Sequence, residues 1–210
     1  MIRAVAWDID GTLIDSEPNH HKALLSVCAR YGLIIADDDM RYVGIAMDAV
    51  WPMLRSHFPP ELTRTTWLAD IVDAYIALAA DLKPIKGALE AVEALAAAGI
   101  RQCCVSNSTS RIVKANLAVL GIDRYLDTTV GREDVVNGKP AAEPYALACR
   151  RLGLAPDAVL AVEDSDVGAA SARAAGLAVL QYGRDFEAFS AVLDRALAGG
   201  PVDDRVLARD

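Results

Sequence analysis

A short apolar run opens the chain and is followed by a long stretch in which apolar residues recur at helical spacing. The run AVAW, which begins at Ala4, predicts a buried strand. From about Asn19 to about Leu82, the segments HHKALLSVCARYG, DDDMRYVG, AMDAVWPMLRSHF and ELTRTTWLADIVDAYIALAADL predict helices. Gly32 is a suitable end for the first helix, and Pro52 is expected to interrupt the third. This part of the chain is therefore predicted to be one strand and a helical block.

From Pro84 onward, apolar strands alternate with amphipathic helices. Four strands are predicted, within IRQCCVSN, YLDTTVG, AVLAVED and LAVLQYG, and each precedes a helical segment. This alternation favours a parallel sheet covered on both faces. The predicted fold class is α/β, with a Rossmann-like parallel sheet core flanked by helices and an inserted α-helical subdomain. Residues 1–15 and 84–210 would form the core and residues 16–83 the insert, with a loosely ordered tail after Gly199.

Composition and charge narrow the function classes. The chain is 53% hydrophobic and 24% charged and carries a formal net charge of -8, which argues against a nucleic-acid or anionic membrane partner. We find no signal peptide and no apolar segment long enough to span a bilayer, and a cytoplasmic protein is expected. From the size of the chain we expect a monomer or weak dimer. Its cysteines lack metal-site spacing and are predicted to be buried thiols; they are Cys28, Cys103, Cys104 and Cys149.

Polar side chains follow four of the predicted strands. They are Asp8 and Asp10 after the first strand, Ser106, Asn107 and Ser108 after the second, Lys139 on the loop after the third, and Glu163, Asp164 and Asp166 after the fourth. Each taken alone has an ordinary explanation as a helix cap, a turn residue or a surface charge. Because parallel sheets bind ligands beyond the carboxyl ends of their strands, their recurrence at successive strand ends indicates one site.

The chemistry of these residues indicates a cation and an anion. Carboxylates packed together raise one another's pKa unless a cation lies among them. The group offers oxygen ligands and contains no histidine or cysteine, so Mg²⁺ fits it better than Zn²⁺. Together with the Lys139 ammonium, such an ion would make a positive pocket for a dianion such as phosphate. Ser106, expected at the start of a helix, would add a hydroxyl and backbone N–H groups.

Four segments carry a family resemblance. DIDGTLIDSEP, VSNSTS, GKPAAEPY and VEDSDVGAASARAAG resemble, in order, the four motifs of haloacid-dehalogenase-superfamily phosphatases. The insert at residues 16–83 resembles the cap of the subclass that includes β-phosphoglucomutase and phosphoglycolate phosphatase. The resemblance covers nearly the whole chain and is weakest in the cap. It implies a Mg²⁺-dependent phosphatase that acts on a small phosphomonoester, of the sugar phosphate or sugar acid phosphate type, through an aspartyl-phosphate intermediate.

The resemblance also implies a role for each matched residue. Asp8 would be the nucleophile, and Asp10 would be the general acid that later acts as the base. The implied phosphate-binding residues are Thr12, Ser106, Asn107 and Lys139. The implied Mg²⁺ ligands are Asp8, the backbone carbonyl of Asp10, Asp164 and, directly or through water, Glu163. Asp166 is expected to have a surface role or to lie behind the metal ligands, and the candidate substrate residues of the cap are His20 and Met47.

Three alternatives to a phosphatase can be weighed on single residues. Asp10 argues against a dehalogenase, because a halide leaving group needs no proton. A phosphosugar mutase of the β-phosphoglucomutase type stays open, although Met47 stands where such relatives carry the arginine that holds a second phosphate. A catalytically silent binding module also stays open, although the nucleophile, the acid and the lysine are all present.

Overall fold

The computed structural model of the protein describes residues 1–198. They divide into two compact units, one made of Met1–Asp15 and the residues from Pro84 onward, the other of Ser16–Lys83. The tail after Gly199, predicted to be loosely ordered, lies outside the described residues. The role of the second unit as a cap stays a prediction.

The first unit is built on a parallel sheet. In chain order the strands are β1 (Ala4–Trp7), β2 (Ile14–Asp15), β3 (Lys83–Pro84), β4 (Arg101–Val105), β5 (Thr128–Val130), β6 (Val159–Glu163) and β7 (Ala178–Gln181). Five of them form one sheet in the order β5-β4-β1-β6-β7, and β2 and β3 form a separate two-stranded sheet. Neighbouring strands of the large sheet run parallel, with Ala4 opposite Arg101 on one side and Val159 on the other.

Helices cover both faces of this sheet, so the predicted α/β fold class is confirmed. The helices of the first unit are α4 (Ala88–Ala97), α5 (Ser110–Leu120), α6 (Glu143–Leu152), α7 (Asp166–Ala174) and α8 (Ser190–Leu197), and those of the second are α1 (Glu17–Arg30), α2 (Met47–Leu54) and α3 (Arg64–Ala77). On one face, α6 packs against β4 and β5, and α7 packs against β6 and β7. On the other face, α4 packs against β4 and against α8.

The central strands are apolar because both of their faces are buried. All four residues of β1 are fully buried, as expected for a strand in the middle of a covered parallel sheet. In β4, Cys103 packs into the apolar cluster that contains Tyr145, whereas Gln102 accepts a hydrogen bond from the Trp7 indole at 2.8 Å and donates to the Val92 carbonyl at 2.9 Å. The prediction of buried, unpaired cysteines is confirmed for all four.

The second unit is held together by aromatic side chains from its helices and loops. The rings of Trp51, Phe58 and Trp67 lie 5.4 to 6.1 Å apart, centroid to centroid. Thr63 begins α3 by accepting a hydrogen bond from the Thr66 N–H at 3.1 Å. Burial of these rings removes a large apolar area from water, which is the main stabilising contribution expected in a unit of this size.

Two helix predictions in the second unit are wrong in detail. The segment DDDMRYVG forms only a 3₁₀ turn at Met40–Tyr42, begun by Asp39, whose side chain accepts from the Arg41 N–H. Pro52 does not interrupt α2 but lies inside it, two residues before the helix ends at Leu54. Proline has no backbone N–H, so α2 lacks the one helical hydrogen bond that residue 52 would otherwise donate, and the helix nevertheless continues for two more residues. None of the described helices is long and apolar enough to cross a membrane.

Candidate active site

The carboxyl edge of the sheet carries buried polar side chains. Asp8 follows β1, Ser106 follows β4, Glu163 ends β6, and Lys139 lies on the connection between β5 and α6. All four are at most 9% exposed. Burying a polar group is unfavourable unless the group has hydrogen-bond partners. The contacts among these four side chains therefore define the site.

Lys139 links the strand ends through its ammonium group. Its Nζ donates to Asp8 Oδ1 at 2.6 Å, to Glu163 Oε1 at 2.6 Å and to the Val105 carbonyl at 2.8 Å. An ammonium has three protons to donate, and these contacts use all of them. Asn107 holds the same segment in place, because its amide accepts from the Lys139 N–H at 2.8 Å and donates to the Lys139 carbonyl at 3.1 Å.

The charges around Lys139 do not balance. Burial disfavours the charged ammonium, but Asp8 and Glu163 outweigh that effect and raise the pKa of Lys139. Burial also raises the pKa of Asp8 well above its ordinary value; Lys139 opposes this rise, and the neighbouring carboxylates, Glu163 first, add to it. One ammonium therefore faces several carboxylates, and the group favours a further positive charge.

Three carboxylates form a set that could hold a cation. Asp8, Glu163 and Asp164 each offer one oxygen, and these oxygens lie within 4.8 Å of one another. The pKa of Asp164 is raised from 3.8 to about 6, by burial first and then by the charge of Glu163. Carboxylate oxygens that lie this close together and repel one another fit a hard divalent cation such as Mg²⁺. The predicted metal ligands Asp8, Glu163 and Asp164 thus come together.

A glycine brings Asp164 close to the first loop. A Cβ on Gly11 would lie 2.2 Å from Asp164 Oδ2, and the φ of Gly11 is +85°, which side chains rarely adopt. Thr12 is buried beside it and donates to Asp164 Oδ1 at the long distance of 3.5 Å. Gly11 and Thr12 therefore help to position the carboxylate of Asp164. The phosphate-binding role of Thr12 stays a prediction.

The side chain of Asp10 faces a different set of partners. Its Oδ2 accepts from Ser108 Oγ at 2.8 Å and from Ser106 Oγ at 3.2 Å, and its Oδ1 accepts from Asn116 Nδ2 at 2.9 Å. Asp10 is not part of the carboxylate set formed by Asp8 and its neighbours. Its implied place at the metal therefore depends on its backbone carbonyl and stays a prediction.

The expectation that Ser106 begins a helix is wrong. Helix α5 begins at Ser110 and is preceded by Thr109. Ser106 instead forms a tight turn in which its hydroxyl accepts from the Ser108 N–H at 2.9 Å. Small polar residues favour such turns because their side chains bond the backbone two residues on. The Ser106 hydroxyl still lies at the carboxyl edge of the sheet, next to Asp10.

The remaining predicted residues lie apart from this cluster or within the second unit. The exposed carboxylate of Asp166 accepts from Gln181 Nε2 at 3.1 Å and from Arg184 at 3.0 Å, in agreement with the surface role expected for it. His20 lies on α1 and stacks on Tyr75 with ring centroids 4.3 Å apart. Met47 begins α2 and packs, half-buried, against the apolar cluster of its own unit. The substrate roles of His20 and Met47 stay predictions.

Sequence reasoning missed two residues of the site. The Tyr145 hydroxyl donates to Glu163 Oε1 at 2.5 Å, and burial raises the pKa of Tyr145 well above its ordinary value, with the charge of Glu163 adding to the rise. Asn116, fully buried on α5, donates to Asp10. Asn116 carried a readable signal, since it is a polar residue at a position where the helical period predicts an apolar one.

Comparison with known proteins adds the family. A model of the haloacid dehalogenase-like hydrolases matches residues 2–176. Fructose-1-phosphate phosphatase YqaB of Escherichia coli is 31% identical over 180 residues, which is 81% of this chain and 91% of that protein. Phosphoglycolate phosphatase of Salmonella typhimurium is 28% identical over 211 residues, which is 88% of this chain and 83% of that protein.

A solved structure supports the fold. CbbY of Rhodobacter sphaeroides, determined in complex with phosphate, has a TM-score of 0.80 and 24% identity over 95% of this chain and 97% of its own. The expected enzyme class, a phosphoric monoester hydrolase, agrees with the matched family and with the phosphatases among the relatives. With a family model that matches most of its length and with the four motifs gathered at one edge of its sheet, the chain belongs to the haloacid dehalogenase-like hydrolases.

Proposed function

We propose that the protein is a Mg²⁺-dependent phosphatase that hydrolyses a small phosphomonoester, of the sugar phosphate or sugar acid phosphate type, through an aspartyl-phosphate on Asp8. The observation that carries the proposal is the 2.6 Å contact between the buried side chains of Asp8 and Lys139, within a set of three carboxylates. It brings a nucleophile and an ammonium together where the sheet ends. Relatives named as fructose-1-phosphate phosphatase and phosphoglycolate phosphatase support the substrate class.

In the first step, an oxygen of the Asp8 carboxylate attacks phosphorus. A bond forms between that oxygen and phosphorus, and the ester P–O bond breaks with its electron pair on the leaving oxygen. Asp10, two residues further on, donates its proton to that oxygen, so that a neutral alcohol departs. The Lys139 ammonium offsets the repulsion between Asp8 and the incoming dianion.

In the second step, water attacks the phosphorus of the aspartyl-phosphate. Asp10, now a carboxylate, takes a proton from the water, and the bond from Asp8 to phosphorus breaks to release inorganic phosphate and the free carboxylate. Asp10 is then protonated again and Asp8 is ionised, so the residues return to their starting state. Two neighbouring carboxyl groups thereby divide the work, one carrying the phosphoryl group and the other moving the proton.

The residues that would hold Mg²⁺ are Asp8, Glu163 and Asp164. When bound, the ion supplies positive charge that lowers the repulsion among these carboxylates and the phosphoryl oxygens. Tyr145 and Lys139 both donate to Glu163 Oε1 and fix the orientation of that carboxylate within the set. We further propose that the unit Ser16–Lys83 selects the substrate, with His20 and Met47 as candidate residues. A cytoplasmic location and a monomeric or weakly dimeric state stay predictions.

The test is phosphate release from a panel of esters that includes p-nitrophenyl phosphate, fructose 1-phosphate and phosphoglycolate, with Mg²⁺ and with EDTA. We expect turnover that requires Mg²⁺ and that Asp8→Asn abolishes. Absence of metal-dependent turnover across the panel would contradict the proposal and favour a silent binding module. A hexose 1-phosphate supplied with traces of its bisphosphate separates the mutase, which would yield an isomerised ester without free phosphate.

A further inference from the structure

Asn116 is out of place in its helix. It is fully buried on α5, where the other buried residues are Ile112, Val113, Leu117 and Leu120. An amide on such a face loses its contacts with water, and a leucine would be the ordinary residue there. One polar contact of this buried amide is with Asp10, where Asn116 Nδ2 donates to Oδ1 at 2.9 Å.

Asp10 has donors on both of its oxygens. Ser108 Oγ at 2.8 Å and Ser106 Oγ at 3.2 Å contact Oδ2, on the side opposite the Asn116 contact. The terminal torsion of an aspartate has a broad energy minimum, so a single contact does not fix the plane of the carboxyl group. Donors at both oxygens do fix that plane.

The two sides differ in what they permit. The Asn116 amide N–H₂ can only donate, so Oδ1 must remain an acceptor as long as this contact is made. The hydroxyls of Ser106 and Ser108 can donate or accept, and they tolerate a proton on Oδ2. The arrangement therefore leaves Oδ2 as the oxygen that can carry the proton of the general acid.

We propose that Asn116 is a positioning residue for Asp10: it fixes the plane of that carboxyl group and directs its transferable proton to Oδ2. This inference rests on the proposed function, in which Asp10 protonates the leaving oxygen. Without the Asn116 contact, Asp10 keeps its chemistry but rotates, and either oxygen can carry the proton. The proton then points at the leaving oxygen in a smaller fraction of the enzyme–substrate complexes.

The leaving group provides a readout that a purely structural role would not move. An alkyl alcohol needs a proton as it leaves, whereas p-nitrophenolate leaves without one, and kcat/KM reports the steps up to formation of the aspartyl-phosphate. Loss of positioning should therefore lower kcat/KM for alkyl phosphates and spare p-nitrophenyl phosphate.

The experiment uses Asn116→Leu in the full chain, a change that suits the apolar face of α5, with Asn116→Ala as a second variant of smaller volume. For the best alkyl phosphate, kcat/KM should fall about tenfold, and for p-nitrophenyl phosphate less than about twofold. The matched control is Leu117→Ala on the same helix, which should lower the melting temperature and leave the ratio of the two kcat/KM values unchanged. Wild-type protein that turns over neither ester means that the proposed function itself has failed.

A double-mutant cycle tests whether Asn116 acts through Asp10. In an Asp10→Asn background, assayed at high enzyme concentration, Asn116→Leu should cause no further loss with the alkyl ester, because residues that act as a unit are not additive. Provided that the wild type is active, three outcomes would overturn the inference. The Asn116 variants could lose activity equally on both esters, they could lose none, or Asn116→Leu could cause the same loss again in the Asp10→Asn background.

Discussion

The sheet edge of the first unit and the aromatic cluster of the second bury side chains for opposite reasons. At the sheet edge the buried residues carry charge, with Lys139 between Asp8 and Glu163. In the unit Ser16–Lys83 they are mainly apolar, with Trp51 and Trp67 at the centre. Like charges held together lower stability, whereas buried rings raise it. Substitutions at the sheet edge should therefore mainly change chemistry, and substitutions in the cluster should mainly change stability.

The largest expected effect is at Lys139, where one substitution should change both the chemistry and the stability. Lys139→Met removes the ammonium that faces Asp8 and Glu163, so two buried carboxylates lose their positively charged partner. Phosphatase activity should fall about 10³-fold, and the free energy of unfolding should fall by about 3–5 kcal/mol. Steady-state kinetics and denaturant unfolding measure the two quantities.

Lys114→Met is the matched control for this change. Lys114 is an exposed lysine on α5, and the same substitution there should leave both quantities nearly unchanged. If Lys139→Met kept wild-type stability, the buried ion pairs would not have the geometry described for them.

The second prediction tests the apolar side of the contrast. Trp67 is fully buried, and its ring centroid lies 5.4 Å from Trp51 and 6.1 Å from Phe58. Trp67→Ala should lower the free energy of unfolding by about 3–5 kcal/mol, measured in urea. Met53→Ala, at a half-exposed position, is the control and should cost little. At a temperature where the variant is folded, a loss of activity as large as that of Lys139→Met would break the contrast.

The fold and half of the site were readable because their signals are local. An apolar run or a helical period lies within a few residues, and a residue at a strand end reaches the sheet edge whatever its partners are. The family resemblance extended this to roles for Asp8, Asp10 and Lys139, which are expectations that the kinetic tests address. Asp8 and Glu163 meet because β1 and β6 are neighbours in the sheet, and Asp164 directly follows Glu163.

The rest depended on contacts between distant parts of the chain. Asn116 and Asp10 are 106 positions apart, and no local pattern tells which buried residue an amide on α5 will meet. Ser106 was misplaced although its contact is local. Serine favours both helix caps and turns, and here its hydroxyl accepts from the Ser108 N–H in a turn. The turn at Met40–Tyr42 was predicted as a helix because a single turn and a short helix share the same spacing.

The third prediction concerns Gly168, a glycine within a helix, where helix propensity alone would favour alanine. Gly168 lies in α7, where alanine is ordinarily favoured by about 1 kcal/mol. A Cβ at Gly168 would lie 1.9 Å from Glu163 Oε2, so the carboxylate would have to move. Gly168→Ala should therefore lower the free energy of unfolding by about 1–3 kcal/mol and weaken Mg²⁺ binding, measured by calorimetry.

The control for Gly168 is the reverse change on the exposed face of the same helix. Ala170→Gly should cost about 1 kcal/mol and leave Mg²⁺ binding unaltered, since Ala170 is exposed. A Gly168→Ala protein that is more stable than wild type would show that Glu163 is not confined against α7.

The smallest expected effect concerns pH and the charge of Asp164. Its pKa is raised from 3.8 to about 6 in the folded protein, so between these values the folded state binds a proton that the unfolded state has lost. The metal-free protein should therefore lose stability as pH rises through this window. Mg²⁺ needs the ionised carboxylate, so its stabilising effect should grow over the same range.

Thermal unfolding with and without Mg²⁺, at about pH 5 and about pH 7.5, measures this difference. With Mg²⁺ at roughly ten times its dissociation constant, the melting temperature should rise by about 3–6 °C at the higher pH and by less at the lower pH. Asp164→Asn should remove most of the Mg²⁺ effect together with its pH dependence, because the amide does not titrate. A shift of equal size at both pH values would mean that Asp164 is ionised throughout this range. The repulsion among the carboxylates, which distinguishes the sheet edge from the aromatic cluster, would then be smaller than the burial of Asp164 implies.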